Sequence, residues 1–113
     1  MKQNQFKTYR QGDVLIKQIK NLPKGLKKSK DNFKERVVLA YGEVTGHAHA
    51  FYNSKDVELL ESNDIKETRR FLNIKTISEL KHEEHNTLTF NPGIYEVIQQ
   101  KEYSMGQIKR VID

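Results

Sequence analysis

The chain contains no cysteine, which removes disulfides, thiolate zinc sites, iron–sulfur clusters and cysteine nucleophiles together. Any metal must therefore be held by histidine, aspartate, glutamate or water. Long hydrophobic runs are missing as well: nowhere do about 18 apolar residues follow one another. Met1-Lys2-Gln3-Asn4-Gln5 opens no apolar signal segment. The expectation is a soluble, cytoplasmic protein with no membrane partner. Absent too is any helical stripe longer than about two turns. With 113 residues, 35% of them hydrophobic and 31% charged, the chain can build one modest core and has no room for a second catalytic domain. That economy favours a small β-barrel or sandwich over an α/β enzyme.

What is present reads as a series of short strands. Residues 1–10 form a loose lead-in that tightens at Gln11-Gly12-Asp13, and Val14-Leu15-Ile16-Lys17-Gln18-Ile19 is short and rich in β-branched residues. Pro23 and Gly25 break the chain. Residues 21–35 form a basic loop. Eight Lys or Arg residues lie between Lys17 and Arg36, against Asp31 and Glu35. Such a run is ordinarily a solvated surface, although it can attract phosphates through a field that salt screens. Arg36–Tyr41 is apolar on both faces and reads as a buried central strand. Gly42 and Gly46 bracket a bend or bulge. Further strands are expected over Val57–Glu61, Arg70–Ile77 and Thr87–Phe90, the last joined through Asn91-Pro92-Gly93 to Ile94–Ile98 as a hairpin. One or two more are expected near Met105-Gly106. A short helix within 61–70 or 77–85 is compatible with the pattern. Eight or nine strands separated by turn signals make residues 1–113 a single all-β domain, barrel or sandwich.

All four histidines fall in two short clusters, His47-Ala48-His49 and His82-Glu83-Glu84-His85. In an extended strand, residues 47, 49 and 51 share a face, and two imidazoles on one face can meet one metal ion while Ala48 and Ala50 leave room behind. The second cluster offers at least one further histidine and a carboxylate whether its backbone is helical or extended. Together His47, His49, His82 and His85 suit zinc, iron, manganese or nickel with a coordination position left open. Glu83 or Glu84 is placed to act as a general base, and Glu43 and Glu61 are lesser candidates as ligands. Arg69-Arg70 is a candidate anion clamp.

A small anionic substrate, turned over by a metal-dependent hydrolase, is the leading functional expectation. Two alternatives stand beside it. One is metal-free acid–base chemistry by histidines on RNA or a cyclic nucleotide. The other is a non-enzymatic accessory protein of phage or mobile-element origin that binds nucleic acid or a host protein through the basic face. A homo-oligomer is compatible with the sequence.

The His47-Ala48-His49 pair with its preceding glycines resembles the first metal motif of the cupins, small β-barrels in which a His-x-His pair, a later glutamate and a later histidine hold one metal. The resemblance implies Glu58 or Glu61 as the glutamate, His82 or His85 as the last ligand, and isomerase or oxygenase chemistry as an alternative to hydrolysis. The Asn91-Pro92-Gly93 turn follows the last histidines here, whereas in cupins it precedes the final one. The combination of Arg10-Gln11-Gly12-Asp13-Val14, Gly42-Glu43-Val44-Thr45-Gly46-His47-Ala48-His49, His82-Glu83-Glu84-His85 and Pro92-Gly93-Ile94-Tyr95-Glu96-Val97 is also similar to a family of short uncharacterised proteins of bacteria and their phages. That likeness covers nearly the whole chain and implies a unit, with no activity attached.

Overall fold

In the computed structural model, which describes residues 7–42, 45–64 and 66–100, the chain is all β with two antiparallel sheets and no helix among the described residues. The strands are β1 (Thr8–Gln11), β2 (Val14–Ile19), β3 (Lys27–Lys28), β4 (Val37–Tyr41), β5 (Ala48–Phe51), β6 (Val57–Glu61), β7 (Arg70–Ile74), β8 (Ser78–Lys81), β9 (Leu88–Phe90) and β10 (Gly93–Gln99). The first sheet runs β1-β2-β10-β7-β6-β3 and the second β4-β5-β8-β9. The sheets do not close on one another, so of the two expected architectures the sandwich is the one formed.

Alternation along each strand sends one set of side chains between the sheets. From the first sheet come Val14, Ile16, Leu59, Leu72, Ile74, Tyr95 and Val97; from the second come Val37, Leu39, Phe51, Leu80 and Phe90, all buried. Phe90 sits among rings, with centroids 4.6 Å from Tyr9, 5.3 Å from Tyr95 and 5.8 Å from Phe51. The run Val37–Ala40 is buried throughout, as its composition implied, and a bulge at Leu39 is one reason. Val38 pairs with Ala50 but Ala40 pairs with His49, so Leu39 is the extra residue and both it and Ala40 join the main core. Val38 faces the other way and packs with Ala48 and Ala50. The bulged Leu39 carbonyl accepts a 2.6 Å hydrogen bond from Arg70 Nη1, which crosses from the other sheet.

Two expectations need correcting. Thr8–Gln11 belongs to a regular strand paired with β2, because the tight turn at Gly12-Asp13 folds it back in register, Gln11 opposite Val14 and Thr8 opposite Lys17; the loose lead-in therefore does not extend to residue 10. Thr87–Ile98 is not a hairpin. β9 pairs with β8, while β10 lies between β2 and β7 in the other sheet. The turn residues are where the sequence places them, but the turn carries the chain across the sandwich. Tyr95 fixes that crossing by donating its buried hydroxyl to the Asn91 carbonyl at 2.7 Å. Phe71 and Leu72 are both buried, Leu72 in the main core and Phe71 with the Arg69 guanidinium 5.2 Å from its ring. The strands expected beyond residue 100 lie outside the described residues.

Candidate metal centre

Two segments 33 residues apart in the chain, counted from His49 to His82, meet because β5 and β8 are antiparallel neighbours, with Ala50 opposite Lys81 and Phe51 opposite Leu80. Continuing that register sets His49 against His82, Ala48 against Glu83 and His47 against Glu84. The side chains follow it. The His49 and His82 ring centroids are 4.2 Å apart, Glu83 Oε1 accepts from the Ala48 amide at 3.0 Å, and His47 Nδ1 lies 3.2 Å from Glu84 Oε2. His85 closes the group, 4.7 Å from His82 and nearly parallel to His49 at 5.9 Å. The four histidines, Glu84, Asp13 and Gly42 line a cavity of about 250 Å³.

The ligand atoms of His47, His82 and Glu83 all lie within 4.8 Å of one another, a group that could hold one metal ion. Its donors are nitrogen and oxygen, which suits a borderline divalent ion. His82 Nδ1 accepts from the Glu84 amide at 3.0 Å, so a neutral His82 carries its proton on Nε2 while that bond stands. Ligation through Nε2 would require the local bond to be given up.

Two residues that sequence reasoning read only as a turn complete the surroundings. Gln11, buried at the end of β1, donates from Nε2 to the carbonyls of Leu80 and Asn86, each at 2.9 Å. With both amide hydrogens committed, Gln11 Oε1 must be the acceptor in its 2.8 Å contact with His49 Nδ1. His49 is thereby held as the Nδ1–H tautomer, with the Nε2 lone pair turned toward the cavity and toward Asp13 Oδ1 at 3.6 Å. Fixing a ligand's tautomer through its other nitrogen is the usual outer support of a metal-binding histidine. Nothing in Gln11-Gly12-Asp13 itself signals this, because the partners of Gln11 come from β5, β8 and the segment that follows β8.

Burial, with help from the neighbouring His82, pushes the His49 pKa down from 6.5 to about 4. Between those values the unfolded chain binds the proton and the folded one does not, so in metal-free protein the His49 contribution is fully present above pH 6.5 and is lost as pH falls toward 4. The loss attributable to His49 is about 3 kcal/mol. Denaturant titrations from pH 7 to pH 4 on wild type and His49→Gln should show a much flatter profile in the variant; parallel profiles would refute the assignment. Glu83 is held below the usual carboxylate range, first by the Ala48 amide, which makes it a poor base.

Glycine is needed at position 12. Its φ is +59°, and an added Cβ would stand 2.8 Å from His85 Nε2 and 3.2 Å from His49 Cε1. Gly12→Ala should cost about 1–2 kcal/mol in backbone strain and displace the His85 ring; unchanged urea stability would show that the turn relaxes freely. At Gly42 an added Cβ would approach His47 Cβ at 3.1 Å and His82 Nε2 at 3.2 Å.

The other candidates lie elsewhere. Arg69 makes a two-pronged ion pair with Glu96, at 3.0 and 3.1 Å, that raises its pKa. Arg70 is directed to Leu39 and has its pKa lowered by burial. Neither arginine lines the cavity. Nor do Glu58 and Glu61, which sit in β6, where Glu61 is 3.9 Å from Lys27. Glu43 lies outside the described residues.

A domain of unknown function, DUF8820, matches residues 10–100. The chain belongs to that family. The matched span of the DUF8820 family begins just before the Gln11-Gly12-Asp13 turn and takes in both histidine clusters and β10. No curated protein and no solved structure matches the chain. No helix among the described residues is long and apolar enough to cross a membrane.

Proposed function

We propose that the protein binds one divalent transition metal, zinc, iron, manganese or nickel, in the histidine cavity and acts as a metal-dependent hydrolase on a small anionic substrate. One observation carries this reading: the β5–β8 register gathers both histidine pairs, with Glu84, around one polar cavity. Four histidines gathered on one cavity, one of them buried with its tautomer fixed, are poorly explained as solvated side chains. His47 and His49 would hold the ion together with His82, His85 or both. Such an ion supplies Lewis acidity toward a water or a substrate oxygen. Glu84, 57% exposed and beside His47, is placed to hold a proton at its free carboxylate, whereas Glu83 is tied to the Ala48 amide. The net charge of +5 favours the approach of anions.

Elemental mass spectrometry on untagged wild type and on His47→Ala/His49→Ala tests the first half. The expected result is a near-stoichiometric metal in the wild type that vanishes from the variant. No metal in either sample, even after reconstitution, would overturn the proposal and turn attention to the histidines as a metal-free acid–base pair.

A further inference from the structure

We infer that Asp13, carried on the β1–β2 turn of the first sheet, is a ligand of the metal ion alongside His49 Nε2, so that the ion joins the two sheets of the sandwich. The inference rests on the metal-binding reading and names a donor outside both histidine clusters.

Gln11 Oε1 accepts a hydrogen bond from His49 Nδ1–H, so in the neutral ring Nε2 has no hydrogen to give. Asp13 Oδ1 faces it at 3.6 Å. Two acceptors that confront each other without a proton repel; the His49 side chain is only 3% exposed, while that of Asp13 is 49% exposed and stands where an ion can enter. A cation between them reverses the sign. The spacing is also that of two ligands on one ion: bonds of about 2.0–2.2 Å at a tetrahedral angle separate the donor atoms by about 3.4 Å.

The aspartate is aimed as well as near. Its Oδ2 accepts from Gln99 Nε2 at 3.1 Å, and its backbone carbonyl accepts from the Gln100 amide at 2.8 Å. One carboxylate oxygen is thus held by β10 and the other is left for the cavity, the arrangement in which outer partners orient a ligating carboxylate. Gly12 beside it has no Cβ to hold His49 and His85 away from the turn.

The test uses cobalt(II) as probe on metal-stripped full-length protein. Asp13→Asn preserves shape but weakens the donor. It should lower cobalt affinity at least tenfold and alter the visible spectrum, while Asp56→Asn, on the β5–β6 turn away from the cavity, should change neither. Because the chain has no cysteine, Asp13→Cys gives a positive readout that does not depend on loss of binding. A thiolate-to-cobalt charge-transfer band should appear in that variant and be absent from Asp56→Cys. Wild type that takes up no cobalt would overturn the metal-binding reading itself. Wild type that binds, beside Asp13→Asn with unchanged affinity and spectrum or a cobalt-loaded Asp13→Cys without the band, would overturn the role of Asp13 alone.

Discussion

Gln11→Leu is expected to cost roughly 3 kcal/mol of stability, since it strands the Leu80 and Asn86 carbonyls and His49 Nδ1, and each buried group left unpaired costs about 1–3 kcal/mol. The lower end applies because Asn86 is exposed and can turn to water. The same change should weaken metal binding roughly 10- to 100-fold, the usual penalty for losing a partner that orients a ligand. Here the ring is free to swap tautomers and turn its lone pair away. Two measurements separate the effects: urea unfolding of stripped protein, and metal titration under conditions where the variant is fully folded. An affinity equal to wild type in folded variant would show that His49 needs no tautomer lock.

The second large effect belongs to the core. Phe90→Ala should destabilise by about 3–5 kcal/mol, as for other large-to-small changes at filled sites. Phe90 is fully buried and meets Tyr9, Phe51 and Tyr95, rings from both sheets. Tyr95 is also hydrogen-bonded to the crossing turn, so the surroundings cannot easily collapse into the space. Set against a total stability of about 5–15 kcal/mol for a domain, that loss should leave a chain that unfolds at much lower denaturant. A cost below about 1 kcal/mol would mean the space refills.

Most strands are legible in the chain, and the reason is local. Val14–Ile19, Val37–Tyr41 and Val57–Glu61 are β-branched or apolar stretches bounded by turn residues, and each forms a strand close to where its pattern places it. Partnership is not local. Asn91-Pro92-Gly93 reads equally well as a hairpin turn or as a crossing between sheets, and only the packing of Phe90 and Tyr95 decides. The same divide runs through the candidate centre. Both histidine clusters stand out because histidine is rare in this chain and confined to them. Asp13 and Gln11 do not, because an aspartate in a two-residue turn and a glutamine at a strand end are ordinary until the fold brings His49 of the opposite sheet against both. The arginines show the converse: Arg69-Arg70 looks available for an anion in sequence, yet each has a protein partner in the fold.

The β5–β8 pairing also governs where this chain can change length. Opposed residues in that pair have numbers summing to a constant, and the β6–β7 hairpin leaves and returns between the two histidine segments without touching the pairing. Residues can be gained or lost at its tip with the row of His47, His49, His82 and Glu84 unmoved. One residue added between Ser78 and His82 has the opposite effect: it turns the second segment over, and the histidines that share a cavity would point to opposite sides of the sheet.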